Sequence, residues 1–224
     1  MSNHLRLKKM LYMVSLAAIS IVLSLIEIPW FIATGPFAGF LKLDFSEVAI
    51  LISLFVLGTK ETIGVVLIRT IARRLFRGFE IGDMVGEMLA MFASFAIIFG
   101  YNLAKKILGN QEKPLLYEVS INGNKTSKKD FFVYTSFITI SLTIFLLIVN
   151  FLIATPIYLS LYGFFHTGDN VSFTVFHFVQ DSPLSMLTFF WFCFISYTPF
   201  NLTKGILVSF IFLFIKPRMK YLEL

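Results

Sequence analysis

Long apolar runs separated by short charged clusters occupy most of the chain, and their lengths carry the first expectation. Met10 to Ile26 is a run of 17 uncharged residues between Lys8-Lys9 and Glu27. Phe131 to Phe165 is a run of 35 residues without Asp, Glu, Lys, Arg or His, and Ser182 to Ile215 carries one charge, Lys204. A helix rises 1.5 Å per residue and crosses a hydrocarbon core about 30 Å thick with about 20 apolar residues. These runs predict membrane-crossing helices, as does a fourth that follows Gly82-Asp83-Met84-Val85-Gly86-Glu87 and ends at Lys105-Lys106. The pattern between the first and the fourth is less clean. Asp44, Ser46 and Glu47 suit a helix start, where caps and acids meet free N–H groups and the positive end of the dipole. The apolar part that follows, Val48 to Thr59, has only 12 residues, and the next run is interrupted by Arg69, Arg73, Arg74 and Arg77. The predicted spans are 10–30, 44–59, 61–76, 84–104, 131–162 and 184–215, the second and third being short, tilted or partly buried in protein. Phe31 to Leu43, rich in Gly, Pro and Phe, is read as an apolar loop tucked back onto the protein.

Composition places the same picture firmly in a bilayer. With 57% hydrophobic and 14% charged residues and a mean hydropathy of +0.83, the chain is predicted to be a single-domain, all-α integral membrane protein of six transmembrane helices. The formal net charge of +6 does not imply nucleic acid, because the basic residues cluster at the ends of apolar runs. Their distribution puts the N- and C-termini and the even-numbered connections in the cytoplasm. The four arginines between the third and fourth spans fall on the wrong side, which reflects either local pairing or a misplaced third boundary. The first run is too long for a signal sequence and is followed by no small-residue cleavage site, so it is read as a retained span. Its Ala17, Ala18, Ser20 and Ser24 suit close approach by another helix.

Candidate chemistry concentrates in the last span. Tyr197-Thr198-Pro199-Phe200-Asn201-Leu202-Thr203-Lys204-Gly205 holds an ammonium 12 residues before Lys216, about 18 Å along a helix and past mid-membrane. A charge at that depth marks a functional site more often than a snorkelling side chain. Asn201 and Lys204, three apart, share a helix face and offer an amide and an ammonium to a planar, polar-edged ligand. The predicted topology brings Asn150, well along the fifth span, to the same depth, beneath the outer loop Phe31 to Leu43. Pro199 is expected to interrupt the helix and expose backbone groups there. Glu87 pairs with Arg69 or Arg73, or contacts a ligand. His166, Asp169, His177 and Asp181 fit no metal-binding spacing and are read as a solvated loop. Cys193 is the only cysteine, which excludes an intrachain disulfide and suits packing. The Gly123-Asn124-Lys125-Thr126 segment lacks the first glycine of a phosphate loop, its place taken by Glu118.

Several of these segments together carry a resemblance: Phe40-Leu41-Lys42-Leu43-Asp44-Phe45-Ser46-Glu47, the Gly82-Asp83 and Gly86-Glu87 pattern, Asn150 with Pro156 and Tyr158, and Pro199-Phe200-Asn201-Leu202-Thr203-Lys204-Gly205. They resemble the substrate-binding S component of energy-coupling factor (ECF) vitamin transporters, most closely the riboflavin-specific branch. The Leu-Lys-Leu-Asp-Phe-Ser element is shared by several vitamin specificities. Asn150 with the Asn201 and Lys204 motif is what points to riboflavin. The resemblance implies a multi-pass cell-membrane subunit that captures riboflavin from outside and works with a membrane scaffold subunit and two ATPase subunits. It implies no catalytic residue, metal or cofactor, riboflavin being the transported ligand. Asn150, Asn201 and Lys204 would hydrogen-bond the isoalloxazine ring, without need of paired counter-charges, and Gly39, Phe40 and Leu41 would cover it. The first span offers Val14, Ala18 and Val22 or Ser20 and Ser24 in place of a clean Ala-x-x-x-Ala pattern, and the loops from Gly109 to Asp130 and Gly163 to Pro183 are long for this family.

Two other readings stand beside it. The same fold could carry folate, pantothenate or thiamine. A carboxylated vitamin would favour extra cations, which Arg69 or Arg73 would supply if they face inward, and a phosphorylated one would demand a basic outer rim, which the sequence does not locate. An intramembrane enzyme would need a nucleophile and base or a metal motif, and His4, His166 and His177 lack such spacing.

Overall fold

The long uncharged runs are helical, and the short charged clusters are where the chain turns. The computed structural model describes residues 3–30, 41–110, 114–117, 127–165 and 171–219. Seven helices appear among them: α1 (Asn3–Leu25), α2 (Ser46–Leu57), α3 (Thr59–Arg77), α4 (Ile81–Ile107), α5 (Lys128–Leu161), α6 (Val175–Gln180) and α7 (Met186–Met219). Four of these, α1, α4, α5 and α7, are long and apolar enough to cross a membrane. The fold class is thus all-α, with α6 added to the expected set inside what the sequence suggested was a loop.

The bounds of α2, α3, α4, α5 and α7 lie within a few residues of apolar runs read from the sequence. The first ends early: α1 stops at Leu25 because Pro29 and the hairpin that follows take the chain out of the helix. Strand β1 (Ile28–Pro29) pairs antiparallel with β2 (Lys42–Leu43), Ile28 opposite Leu43 and Pro29 opposite Lys42. The Trp30 amide extends the pair by donating to Leu41 O at 2.9 Å. Residues 31–40 of the expected apolar loop, including Gly39 and Phe40, lie outside the described residues. Gly58, at φ +94°, separates α2 from α3 in a conformation that favours glycine.

The second and third helices depart from ordinary amphipathic patterns for opposite reasons. Every α2 residue except Ile52 is buried, so the helix is apolar all round because protein surrounds it. α3 is inverted. Ile63, Leu67, Ile71 and Leu75, spaced by four, are exposed, whereas Thr62, Val66, Arg69 and Arg73 are buried. Polar groups that face the bundle while apolar ones face outward are the arrangement a bilayer selects.

α5 is the central helix of one side, packed against α4 on one face and α7 on the other. Gly205 permits the second contact: a Cβ there would lie 2.8 Å from Thr139 Cα. Ser20 of α1 donates to Ser46 O at 3.1 Å, and Ala17, Ser20 and Ser24 are buried, so the small stripe of α1 is used within the bundle, with Ala18 left exposed. At the end opposite the hairpin, the Lys216 ammonium sits about 5 Å over the rings of Phe55 and Tyr134, and Lys9 pairs with Glu61.

Candidate functional site

The second half of α5 carries a local irregularity that its sequence explains. Pro156 cannot donate a backbone hydrogen bond and its ring crowds the preceding turn. The chain answers with a π-turn over Asn150–Ala154, in which the Thr155 amide donates to Asn150 O. Such turns re-aim side chains and recur at functional sites. Asn150, its first residue, points inward, 3% exposed, with Nδ2 donating to Leu146 O at 2.8 Å and Oδ1 lacking a partner among the described residues. Asn201 on α7 is 1% exposed, and its Nδ2 likewise has no hydrogen-bond partner among them.

Both carboxamides line one cavity of about 330 Å³, together with Lys204, Leu41 of the hairpin, and Tyr158, Tyr197 and Phe200. This volume is at the lower end of the range for small-molecule sites. The structure therefore brings together four of the six predicted site residues, Asn150, Asn201, Lys204 and Leu41. Trp30 closes on Phe200 edge to face, ring centres 5.7 Å apart, and the Tyr158 hydroxyl donates to Gly82 O at 3.0 Å, tying α5 to the start of α4. An unpaired acceptor and an unpaired donor, both buried, can read a polar edge, and the aromatic walls can stack on a flat face.

Lys204 has carboxylate counter-charge of its own, a pairing that the sequence reading did not include. Its ammonium lies 3.3 Å from Asp44 Oδ2 and 3.1 Å from Glu47 Oε1. Asp44 and Glu47 thus do more than start α2. The Asp44 carboxylate also accepts from the Ser46 amide at 3.0 Å and from its hydroxyl, and Arg69 reaches the Ser46 hydroxyl at 3.3 Å and Ala90 O at 3.1 Å. A buried charge is tolerated when paired in this way. Pro199 departs from expectation: α7 runs through it without a break, and the residue is exposed, away from the cavity.

The α3 arginines, which the sequence alone placed on the wrong side, are accounted for by local pairing. Arg77 pairs with Glu27, Arg73 Nε lies 3.2 Å from Glu87 Oε2, Arg74 donates to Gly78 O at 2.9 Å, and Arg69 is held as above. Glu27 also meets Lys42 at 2.8 Å, fastening the hairpin to α3. Burial raises the Glu27 carboxyl, but the hydrogen bonds and charges of Lys42 and Arg77 outweigh it and hold the group below the usual glutamate range. Arg73, Arg74 and Arg77 all border the cavity, a feature the sequence signalled only through the four-residue spacing of Arg73 and Arg77.

His177 lies on α6 and Asp181 just beyond it, while His166 and Asp169 fall outside the described residues. Among the described residues no three His, Cys, Asp or Glu side chains are grouped to hold a metal ion. Cys193 is buried in the cluster that includes Phe178, Phe189 and Tyr197.

With the cavity in place, comparison with known proteins is decisive. The sequence model for the ECF transporter substrate-specific component matches residues 8–215. This chain belongs to that family. The S component is 27% identical over 213 residues to the riboflavin transporter RibU of Streptococcus thermophilus, covering 95% of this chain and 83% of the relative. Its fold is similar to a solved S component of a bacterial ECF transporter, with a TM-score of 0.63 at 24% identity and 96% of each chain covered. An S component is a membrane transporter component and not an enzyme, which removes the catalytic alternative.

Proposed function

We propose that this S component captures riboflavin at the cell surface and passes it inward through a complex with a membrane scaffold subunit and two ATPases. The observation that carries the reading is the complementary pair of buried amide atoms on α5 and α7, Asn150 Oδ1 and Asn201 Nδ2, that have no partner among the described residues. The polar edge of an isoalloxazine alternates carbonyl acceptors with an N–H donor. Asn150 Oδ1 would accept from that N–H and Asn201 Nδ2 would donate to a neighbouring carbonyl. Lys204 would add an N–H that its two carboxylates leave over, an ammonium having three. Tyr158, Tyr197 and Phe200 would face the ring, and Leu41, with Gly39 and Phe40 just before it in the sequence, would cover it. The similarity to a riboflavin transporter supports the same cargo.

The whole chain, 1–224, would act as one membrane domain in which α2 and α3 join the four long helices as a six-span bundle. The hairpin end would face outward. The opposite end, with Lys9, Lys60, Lys105, Lys106 and Lys216, would face the cytoplasm together with both termini.

The test is riboflavin titration of the purified protein, read by quenching of flavin fluorescence. Binding is expected at micromolar riboflavin or below, with Asn150→Ala and Asn201→Ala each weakening it by about 1–3 kcal/mol, the cost of leaving a buried partner unpaired. Competition by folate, pantothenate and thiamine reads the cargo directly. Displacement by one of these, with no riboflavin binding, would replace the assignment.

A further inference from the structure

Away from the cavity, the turn after α5 and the short helix α6 direct four phenylalanine rings outward. α5 ends at Gly163 with φ +70°, and Phe165 takes φ +56°, a left-handed conformation uncommon for a bulky residue. The Phe164 amide donates to Leu159 O at 2.8 Å, closing the turn, and Phe165 packs edge to face on Phe192 of α7, ring centres 5.9 Å apart. The Ser172 amide donates to Ser160 Oγ at 3.0 Å, which fixes the entry to α6. α6 then seats Val175 and Phe178 among Leu159, Phe189 and Cys193, the Phe178 and Phe189 rings lying 5.1 Å apart. Its other side is open: Phe173 is 58% and Phe176 65% exposed, and Phe164 and Phe165 are exposed as well. Residues 162–165 and 171–180 contain no Asp, Glu, Lys or Arg. Such an apolar patch marks a surface that something other than water covers.

The neighbouring helix identifies the cover. α7 keeps an apolar stripe turned outward along its length: Ile206, Phe210 and Phe214 in its second half, and Leu187, Trp191 and Ile195 in its first, each set spaced by four and all exposed. Ile195 and Ile206 are eleven apart, close to three full turns, so the two sets join. The lipid-facing surface of this membrane-crossing helix therefore continues up to its first turns, and α6 rests there through Phe189. With 34 residues, α7 is about 51 Å long, against a hydrocarbon core of roughly 30 Å and a bilayer of about 40–45 Å with its headgroups. Its first turns, and α6 with them, thus stand at headgroup level, where aromatic side chains collect. The exposed face of α6 has the matching composition, since His177 and Gln180 share it with Phe173 and Phe176 and add polar groups that hydrocarbon would not accept. We infer that the turn after α5 and α6 together form an interfacial anchor on the leaflet at the hairpin end, with Phe164, Phe165, Phe173 and Phe176 entering the boundary between phospholipid headgroups and acyl chains. Because Val175 and Phe178 share their core cluster with Trp30, Leu41 and Leu43 of the hairpin, the anchor also ties the outer side of the cavity to the bilayer.

The test places the full-length protein, in a Cys193→Ala background, in phosphatidylcholine nanodiscs with a nitroxide attached at one position at a time. Phe173→Cys and Phe176→Cys probe α6, Ile195→Cys is the lipid-facing reference, and Lys128→Cys, at the exposed start of α5, is the water-facing one. Relaxation of the label by oxygen, which partitions into acyl chains, is compared with relaxation by a nickel chelate, which stays in water. The expected result is an oxygen-to-nickel ratio at both α6 positions well above that at position 128 and close to that at position 195. A ratio no higher than at position 128 overturns the anchor. Spin–spin broadening that vanishes on dilution with unlabelled protein assigns the face to a second copy of the chain and overturns it too. Phe176→Trp in the otherwise unaltered chain keeps the test available where the labelled variants do not fold: its added emission is expected to be quenched by brominated phospholipid and spared by acrylamide, and the reverse overturns the anchor.

Discussion

Lys204 is the residue whose role changes most once its neighbours are known, and its removal gives the sharpest prediction. In Lys204→Met the ammonium disappears while Asp44 and Glu47, formerly 3.3 and 3.1 Å from it, stay in the bundle. Removing one partner of a buried ion pair typically costs about 3–5 kcal/mol, because the surviving charge loses its compensation. At about 2–4 °C per kcal/mol for a chain of this length, the apparent thermal midpoint in detergent should fall by roughly 6–20 °C. A lysine that only bonded the ligand would behave differently: its loss would weaken binding by about 1–3 kcal/mol and leave the empty protein as stable as before. The decisive companion is the triple variant Lys204→Met, Asp44→Asn, Glu47→Gln. Replacing a whole buried charge group by neutral residues is often close to neutral, so most of the lost stability should return, and the coupling read from the cycle should exceed about 1 kcal/mol. An unchanged midpoint in the single variant, or additive losses in the triple, would refute the view of Lys204 as the clasp between α2 and α7.

Other outcomes follow from packing and from the hairpin tether. Gly205→Val places side-chain atoms against the α5 backbone, where even a Cβ would lie 2.8 Å from Thr139 Cα; overpacking should cost at least about 1–3 kcal/mol, and a midpoint equal to wild type in a thermal melt would show that α5 and α7 can part without loss. Glu27 is held below the usual glutamate range by Lys42 and Arg77, so its contribution is fully present above the unfolded-state pKa and is lost as pH falls through the lower folded-state value. Wild type should therefore lose stability below about pH 4 relative to Glu27→Gln, while the variant is the less stable of the two at pH 7; parallel melting curves across that range would show that the tether does not matter.

What the sequence disclosed, and what it hid, follow from the range of the interactions involved. α1, α4, α5 and α7 were legible because uninterrupted apolar length is a local property, and Asn201 with Lys204 because their three-residue spacing is local too. The partnership of Lys204 with Asp44 spans 160 positions, and the acids also satisfied an ordinary reading as helix-start residues, so nothing nearby demanded a second one. α3 looked like a damaged span because its charges were counted without their phase. Arg69, Arg73 and Arg77 recur every four residues against Ile63, Leu67, Ile71 and Leu75, which is the one signal that would have turned them inward. Pro156 was visible, but the π-turn it causes depends on how α5 meets its neighbours. Pro199 was misjudged because one missing donor on an exposed helix face is easily absorbed.

The inverted face of α3 also bears on how this protein enters its membrane. Each arginine costs about 2.5–3.5 kcal/mol at the centre of an inserting helix, so with Arg69 and Arg73 α3 is a poor candidate to leave the translocation machinery alone. Its neighbours supply what it lacks: Gly58 joins it directly to the apolar α2, and Glu87 on α4 neutralises Arg73. Biogenesis should accordingly deliver α2, α3 and α4 as a unit, and a nascent chain halted just before α4 should leave α3 accessible to water-soluble labelling reagents.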